Sequence, residues 1–302
     1  SSYRWSRWEQ IYRNGERKYR NNEFREFILM PIDHVLKLYS ESFRSPYLHY
    51  GFWDEPDKVN IDTLTLNDMV AAQQRYIEHL ASFIPEDVNN ILDVGAGIGG
   101  NSSFLLSKGF SVEALSPDDY QEKVFAEKYN GEVPFYRTKF EDFKPQKQYD
   151  LVLESESACY IQIEPGWQVA QKTIRKGGYL LASDYFLHHN DGSGDWHIKA
   201  SHDEKTYLEK AKEYGFELIR EYDQTDNTMP TLDGAKAFMD RFIFPTVEFS
   251  SNYLDKNHPL VLKVLKKAFG KKLESKINQF SLLESSDFKK YKRYMIYLFK
   301  KI

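Results

Sequence analysis

From residue 90 onward the chain repeats a pattern in which a short apolar run ends in a turn and a longer stretch follows with apolar positions three and four apart. Such runs read as buried strands and the longer stretches as helices. Ile91, Leu92 and Val94 mark a strand, with a helix from about Gly100 to Lys108. Ser111–Leu115 leads to a helix over Asp118–Tyr129, and Val133–Thr138 is a further strand. Tyr149–Leu153 leads to Glu164–Thr173, Gly178–Ser183 leads to Asp203–Tyr214, and Phe216–Tyr222 follows. Alternation of this kind predicts an α/β fold, doubly wound, with a mostly parallel sheet covered on both faces. Ligands of such sheets sit beyond the carboxyl ends of the strands, so the strand ends are where chemistry is expected.

The flanks read differently. Residues 1–88 have apolar residues at helical spacing (Phe24, Phe27, Ile28; Val35, Leu36, Leu38, Tyr39; Met69, Val70, Tyr76, Ile77, Leu80), which predicts an N-terminal helical cap. Most of its many aromatic residues are expected in the core. The exception is Leu48-His49-Tyr50-Gly51-Phe52-Trp53-Asp54, bounded by Pro46 and Pro56 and therefore read as a ligand-contacting loop. After residue 223 an excursion to about Lys290 contains two apolar stretches, Ala237–Phe249 and Val261–Phe269, read as helices of a lid. Its Lys263, Lys266, Lys267, Lys271, Lys272 and Lys276 make a solvated face. Tyr294–Phe299 supplies a last strand. The domain reading is 1–88 cap, 89–225 cofactor-binding core, 226–290 lid and 291–302 final strand.

The stretch Asp93-Val94-Gly95-Ala96-Gly97-Ile98-Gly99-Gly100 turns a strand into a helix through glycines, which allow a sharp turn and close approach of a ligand. It satisfies the dinucleotide pattern G-x-G-x-x-G and also G-x-G-x-G, and either match alone is weak. Asp93 argues against a dinucleotide, because a carboxylate there crowds a pyrophosphate but can orient the loop or bind an ammonium group. With Leu92, Asp93, Gly95, Gly97 and Gly99 the segment resembles the first motif, L-D-x-G-x-G-x-G, of class I S-adenosylmethionine-dependent methyltransferases. The His49-to-Trp53 loop is similar to the H-x-G-Y/F-W segment of the tocopherol, sarcosine and glycoside O-methylating members. Leu115-Ser116-Pro117 is similar to the L-S-P-x-Q variant of the tocopherol type.

That resemblance implies a Rossmann-like sheet of seven strands with the last antiparallel, and S-adenosylmethionine as cofactor. It implies a cradle of Asp93, Gly95, Ala96 and Gly97, with Ser116 at the ribose in place of the usual acid. Phe140 and Glu141 substitute at the adenine, because Lys139 stands where the family has an aspartate. Glu154 and Glu156 at the fourth strand end are costly to bury without a partner, so Glu154 is assigned to the cofactor and Glu156 to proton removal. The paired histidines of the glycoside-modifying relatives are absent here, replaced by Ser157 and Ala158. Asp184 at the fifth strand end is the other candidate base, with Tyr160 as an aromatic wall. His49, Tyr50 and Trp53 are the expected acceptor contacts, since rings stabilise a sulfonium without competing as nucleophiles.

The acceptor is expected to be an apolar or aromatic metabolite methylated at carbon or oxygen, or else a small amine. A nicotinamide-dependent dehydrogenase and a non-catalytic nucleotide-binding module are the readings outside this class. His188, His189, His197 and His202 fit no common zinc spacing, so no metal is expected. A net charge of −4 argues against a nucleic-acid partner. The single cysteine, Cys159, excludes an intramolecular disulfide and fits a reducing compartment. No membrane span or signal peptide is read, and a cytoplasmic monomer or homodimer is expected.

Overall fold

Buried apolar runs with few polar side chains pair in parallel because both their faces must be covered. A computed structural model describes residues 45–188, 201–267 and 285–302, and shows this outcome. The strands are β1 (Asn90–Val94), β2 (Ser111–Leu115), β3 (Phe135–Tyr136), β4 (Tyr149–Ser155), β5 (Ile174–Leu187), β6 (His202–Asp203), β7 (Phe216–Asp223) and β8 (Lys292–Lys301). Their order is β3-β2-β1-β4-β5-β8-β7, with β6 beside β5. β8 runs antiparallel to both β5 and β7, as expected for the last strand. The chain reverses its direction of travel across the sheet between β1 and β4, which is the switch point where such sheets take ligands.

Two helical layers complete the core. Leu92, Val94, Val152, Leu180 and Ala182 face α4 (Ile163–Thr173) and α5 (Glu204–Glu213), where Trp167, Tyr207 and Ala211 are buried. Ile91, Leu151, Leu153 and Leu181 face α1 (Leu66–Ala81) and α2 (Gly100–Ser107). Thus α1, which falls inside the stretch read as cap, packs through Tyr76, Ile77 and Leu80 directly on the sheet. Residues 1–44 of that stretch, including the positions from Phe24 to Tyr39, lie outside the described residues. α1 starts at a reciprocal capping box between Thr65 and Asp68, and α3 (Asp119–Tyr129) is capped by Asp118, whose carboxylate accepts from Gln121 N–H at 2.9 Å.

Several boundaries differ from the reading. The third strand shrinks from Val133–Thr138 to two residues, because it is an edge strand with a single partner. The fifth lengthens to Ile174–Leu187, because antiparallel β8 pairs with it from Tyr179 through Leu187. After β7 the helix begins at Thr225, not Ala237: α6 (Thr225–Phe238) runs through Pro230 and Gly234, passes into a π-helical turn over Met239–Ile243, and continues as α7 (Phe244–Asn257). Residues 259–267 are also helical. α8 (Ser285–Tyr291) leads into β8.

The aromatic loop at 45–54 is stitched into this frame by main-chain bonds. Phe52 N–H donates to Ala72 O of α1 at 2.8 Å, and Trp53 N–H to Asn227 O of α6 at 2.9 Å. Thr231 Oγ1 in α6 accepts from Gly51 N–H and from the Trp53 indole N–H, both at 3.0 Å. Leaving those two buried donors unpaired costs roughly 1–3 kcal/mol each. Thr231→Val should therefore lower stability by about 2 kcal/mol or more in denaturant titration, with amide exchange rising across residues 49–54.

Candidate active site

The turn after β1 is shaped by what presses on it. Gly95 has φ +73°, and a Cβ there would lie 2.5 Å from Cβ of Ser157, which follows β4 and donates its hydroxyl to Val94 O at 2.6 Å. Only glycine fits between those constraints. A Cβ on Gly100 would meet Pro46 O at 2.2 Å, so the aromatic loop rests on the first turn of α2. Beneath the turn, Asp93 is buried on the α2 face, and Ser102 Oγ donates to its Oδ2 at 2.6 Å. Burial raises the Asp93 pKa to about 6 against the lowering effect of that bond. Ala96 packs with Ala114 and Phe125, closing the turn onto α3.

At the end of β2, Ser116 is buried and its Oγ accepts from Asp118 N–H at 3.3 Å. One turn before Phe125 on the same face of α3 lies Gln121, whose Oε1 is buried without a partner among the described residues. It is a buried acceptor with no donor among the described residues, on the helix that follows Ser116. It closes the segment Glu113–Gln121 that resembles the L-S-P-x-Q variant, but is not among the residues singled out there; a further signal is a glutamine four residues before a core phenylalanine. Phe140 is a core side chain at 2% exposure, and Glu141 Oε1 accepts from Gln162 N–H at 2.9 Å.

The carboxylates at the ends of β4 and β5 diverge. Glu154 points to the α4 and α5 face, where Tyr207 OH donates to Oε2 at 3.3 Å, in a crevice shared with Trp167 and Leu180. Asp184 is fully buried, with Oδ2 accepting from Cys159 N–H at 2.9 Å and Oδ1 from its own neighbour Tyr185 N–H at 2.8 Å. Glu156 stands in left-handed backbone, φ +50°. For a side chain of this kind that conformation costs of order 1–3 kcal/mol and concentrates at functional sites. Its Oε1 accepts from Tyr50 N–H at 2.6 Å and from Tyr294 OH at 2.5 Å. Burial, opposed by those bonds and assisted by the charge of Asp184, lifts the Glu156 pKa to about 8.

Behind Glu156 the polar chain continues. Tyr294 OH lies 3.2 Å from Tyr76 OH, which donates to Ser183 Oγ at 2.7 Å, and Gln224 Nε2 donates to the same Oγ at 2.8 Å. Tyr76 and Tyr294 carry no motif. Their only sequence signal is a phenol where an apolar stripe would accept phenylalanine. Tyr160, 56% exposed, stands at the rim. Tyr50 is half-buried, its ring 5.7 Å from that of Tyr294.

His49 and Trp53 are placed otherwise than as open acceptor contacts. His49 Nε2 pairs with Asn101 Oδ1 at 2.9 Å and Nδ1 with Tyr50 O at 2.7 Å, while the ring stacks on Tyr76 at 4.1 Å. Its pKa falls to about 4 through burial, so it is a neutral strut between the loop and α2. Trp53 is buried against α6, with the Arg75 guanidinium 5.6 Å from its ring. Of the histidines named above, His188 contacts the Lys289 main chain and His202 the carbonyls of Ala158 and Ile161, while His189 and His197 lie outside the described residues.

The buried acids fix a pH dependence. Burial raises the pKa of Glu154 from an ordinary 4.5 to about 8. Between those values the folded state binds a proton that the unfolded state has released, so stability falls as pH rises through the window. Glu154→Gln removes the titration and should melt above wild type at pH 8, with the gap closing toward pH 5. A constant gap across that range in thermal melts would refute the assignment.

A model of the methyltransferase domain family matches residues 69–221, half of the chain. A comparison with curated protein sequences gives no significant match. Among solved structures, a protein assigned as a sarcosine dimethylglycine methyltransferase from Galdieria sulphuraria superposes with a TM-score of 0.64 at 18% identity, covering 89% of this chain and 98% of its own. Geranyl diphosphate C-methyltransferase from Streptomyces coelicolor A3(2), solved with Mg2+, geranyl diphosphate and S-adenosyl-L-homocysteine, gives 0.63 at 12% identity over 85% and 92%. The cyclase SpnF gives 0.63 at 16% identity over 88% and 92%. At such identities these neighbours speak for the fold, and the family match speaks for the chemistry. The glycine turn at the switch point, the acid beneath it and the match across the core agree: this chain belongs to the methyltransferase domain family, as a class I S-adenosylmethionine-dependent enzyme.

Proposed function

We propose that the protein transfers the methyl group of S-adenosylmethionine to a small apolar or aromatic acceptor at carbon or oxygen, with Glu156 as the general base. The observation that carries this reading is the conformation of Glu156: a carboxyl kept in left-handed backbone, bonded through one oxygen, at the mouth of the sheet. Both of these bonds go to Oε1, which orients the group and leaves Oε2 as the oxygen to take a proton.

The cofactor fits the residues present. Gly95, Ala96 and Gly97 form the turn over Asp93, Ser116 lies at the end of β2, and the unpartnered Gln121 Oε1 is an acceptor suited to a ribose hydroxyl. Phe140 and Glu141 stand in the 3-10 turn after β3, where the adenine is expected. When bound, S-adenosylmethionine supplies a methyl group made electrophilic by its sulfonium. The chain's own part is to hold the acceptor in line, exclude water and take a proton. Tyr50, Tyr160 and Tyr185 provide the aromatic walls, and Glu156 Oε2 takes the proton released when the acceptor oxygen or carbon forms its new bond. Asp184 acts on this base from behind, since its oxygens are engaged with main-chain donors and its charge raises the Glu156 pKa. Glu154 lies on the opposite face and serves the fold beneath the cofactor site.

Calorimetry with S-adenosylmethionine, S-adenosylhomocysteine and NADH is the direct test. The first two should bind, and binding of NADH alone would reverse the reading. Gly97 has φ +57°, and a Cβ there lies 3.2 Å from Leu48 Cδ1. Gly97→Val should therefore abolish cofactor binding while the chain still folds. Once an acceptor is found with an isotopically labelled methyl donor, Glu156→Gln should lower turnover by roughly 100-fold with cofactor affinity little changed, the usual yield of a positioned base. The wild-type rate should rise with pH toward about 8, where the carboxyl ionises. Full turnover in the Gln variant together with a dead Asp184→Asn would move the base to β5.

A further inference from the structure

Lys292, the first residue of β8, has a buried ammonium for which the mechanism above has no use. The residue is 8% exposed, and its Nζ lies 4.9 Å from the ring centroid of Tyr185 and 5.8 Å from that of Phe288. Among the described residues it makes no ion pair and no hydrogen bond. Asp184 and Cys159 are the groups whose charge it feels, but the Asp184 oxygens are taken by the main-chain N–H groups of Cys159 and Tyr185. A desolvated cation with no bonded partner, only the charge of Asp184 nearby, is costly, and burial pulls this one down to about pKa 8. Its position ties it to the acceptor side. Lys292 and Tyr294 share a face of β8 two residues apart, a spacing of roughly 7 Å. Tyr185 sits against both, its ring 6.1 Å from that of Tyr294, whose hydroxyl holds Glu156.

We infer that Lys292 is an anion subsite of the acceptor pocket: the methylated small molecule carries one carboxylate that docks on the ammonium, with its apolar body along Tyr185 and its reacting end at Glu156. The inference rests on the methyltransferase reading with Glu156 as base, and narrows its acceptor to an amphiphilic acid. A single carboxylate suits the site better than a phosphate, because Asp184 disfavours every negative charge brought to the ammonium and one carboxylate brings the fewest.

The test uses the full chain saturated with S-adenosylhomocysteine and three matched pairs of probes: 4-hydroxybenzoate, 4-hydroxyphenylacetate and 4-hydroxycinnamate, each against its neutral amide. Calorimetry should show at least one acid binding about tenfold or more tighter than its amide. Lys292→Met should erase that preference and Lys292→Arg should keep it, with S-adenosylhomocysteine affinity unchanged in both. The melting temperature of Lys292→Met should equal or exceed wild type, because an unpaired buried charge has been removed. Acids and amides binding alike, the absence of binding by all six included, overturns the subsite. So does a preference that survives Lys292→Met, or a lower melting temperature, which would make Lys292 a structural partner of Asp184. Loss of S-adenosylhomocysteine binding by the wild type would instead fell the methyltransferase reading itself.

Discussion

Two distant segments meet on one carboxyl oxygen, and a third holds the same residue by its main chain. Glu156 sits just past β4 and its own N–H donates to Ser183 O of β5 at 2.8 Å, while Tyr50 from the aromatic loop and Tyr294 from β8 both donate to its Oε1. Each bond offsets part of the strain of a left-handed glutamate, and each also fixes the donor's segment. Because Tyr50 is held there, the following residues run over α1 to reach Thr231 and Asn227 in α6, so the closing layer is registered on the same point as the sheet end. The residue after Glu156 is the serine that forces glycine at position 95. The geometry of the glycine turn and of the proposed base are therefore one problem, solved together at residues 156 and 157.

The same crowding decides which acids are charged. Asp93, Glu154, Glu156 and Asp184 are all buried, and burial is the leading cause of every upward shift. Asp184 rises to about 6, held lower than the glutamates by two main-chain donors, and its charge pushes Glu154 and Glu156 further, to about 8 each. At neutral pH the pair is largely protonated, which reduces the cost of burying both. They differ in surroundings: Glu154 shares a crevice with Tyr207 and Trp167, whereas Glu156 is held by Tyr50 and Tyr294.

Much of this was legible in the chain. Apolar runs closed by glycine or aspartate gave the strand positions, and Asp118 announced the start of α3 by its type and place. The antiparallel last strand came from the family resemblance and β8 bears it out. The reading failed where local signals oppose tertiary packing. α6 contains Pro230 and Gly234, yet it persists because Met229 and Leu232 are buried and Gly234 lets the helix approach Leu64. His49 and Trp53 have the residue types of a binding loop, and only the fold reveals that their polar atoms are spent on Asn101, Tyr50 and Thr231. Tyr294, Tyr76 and Lys292 were invisible for a related reason: in a strand or helix stripe a phenol or a lysine stem passes as one more half-apolar residue.

A site that handles an electrophilic methyl group must keep its own nucleophiles quiet, and this one is rich in them. Tyr50, Tyr160, Tyr185, Tyr294 and Cys159 all lie near Glu156 and Asp184, and any thiolate or phenolate among them would compete with the acceptor. Burial drives the Cys159 thiol well above its ordinary range, with Asp184 adding to it. The Tyr185 phenol is raised by the neighbouring Cys159 and then by burial, and Tyr294 by burial and then by Glu156. Asp184, the acid of this group that ionises below neutral pH, thus also helps hold the surrounding phenol and thiol groups protonated. A fold whose structural neighbours include a cyclase does not by itself dictate methyl transfer. A carboxyl able to accept a proton inside a wall of side chains held in their unreactive forms is what that reaction requires of the protein.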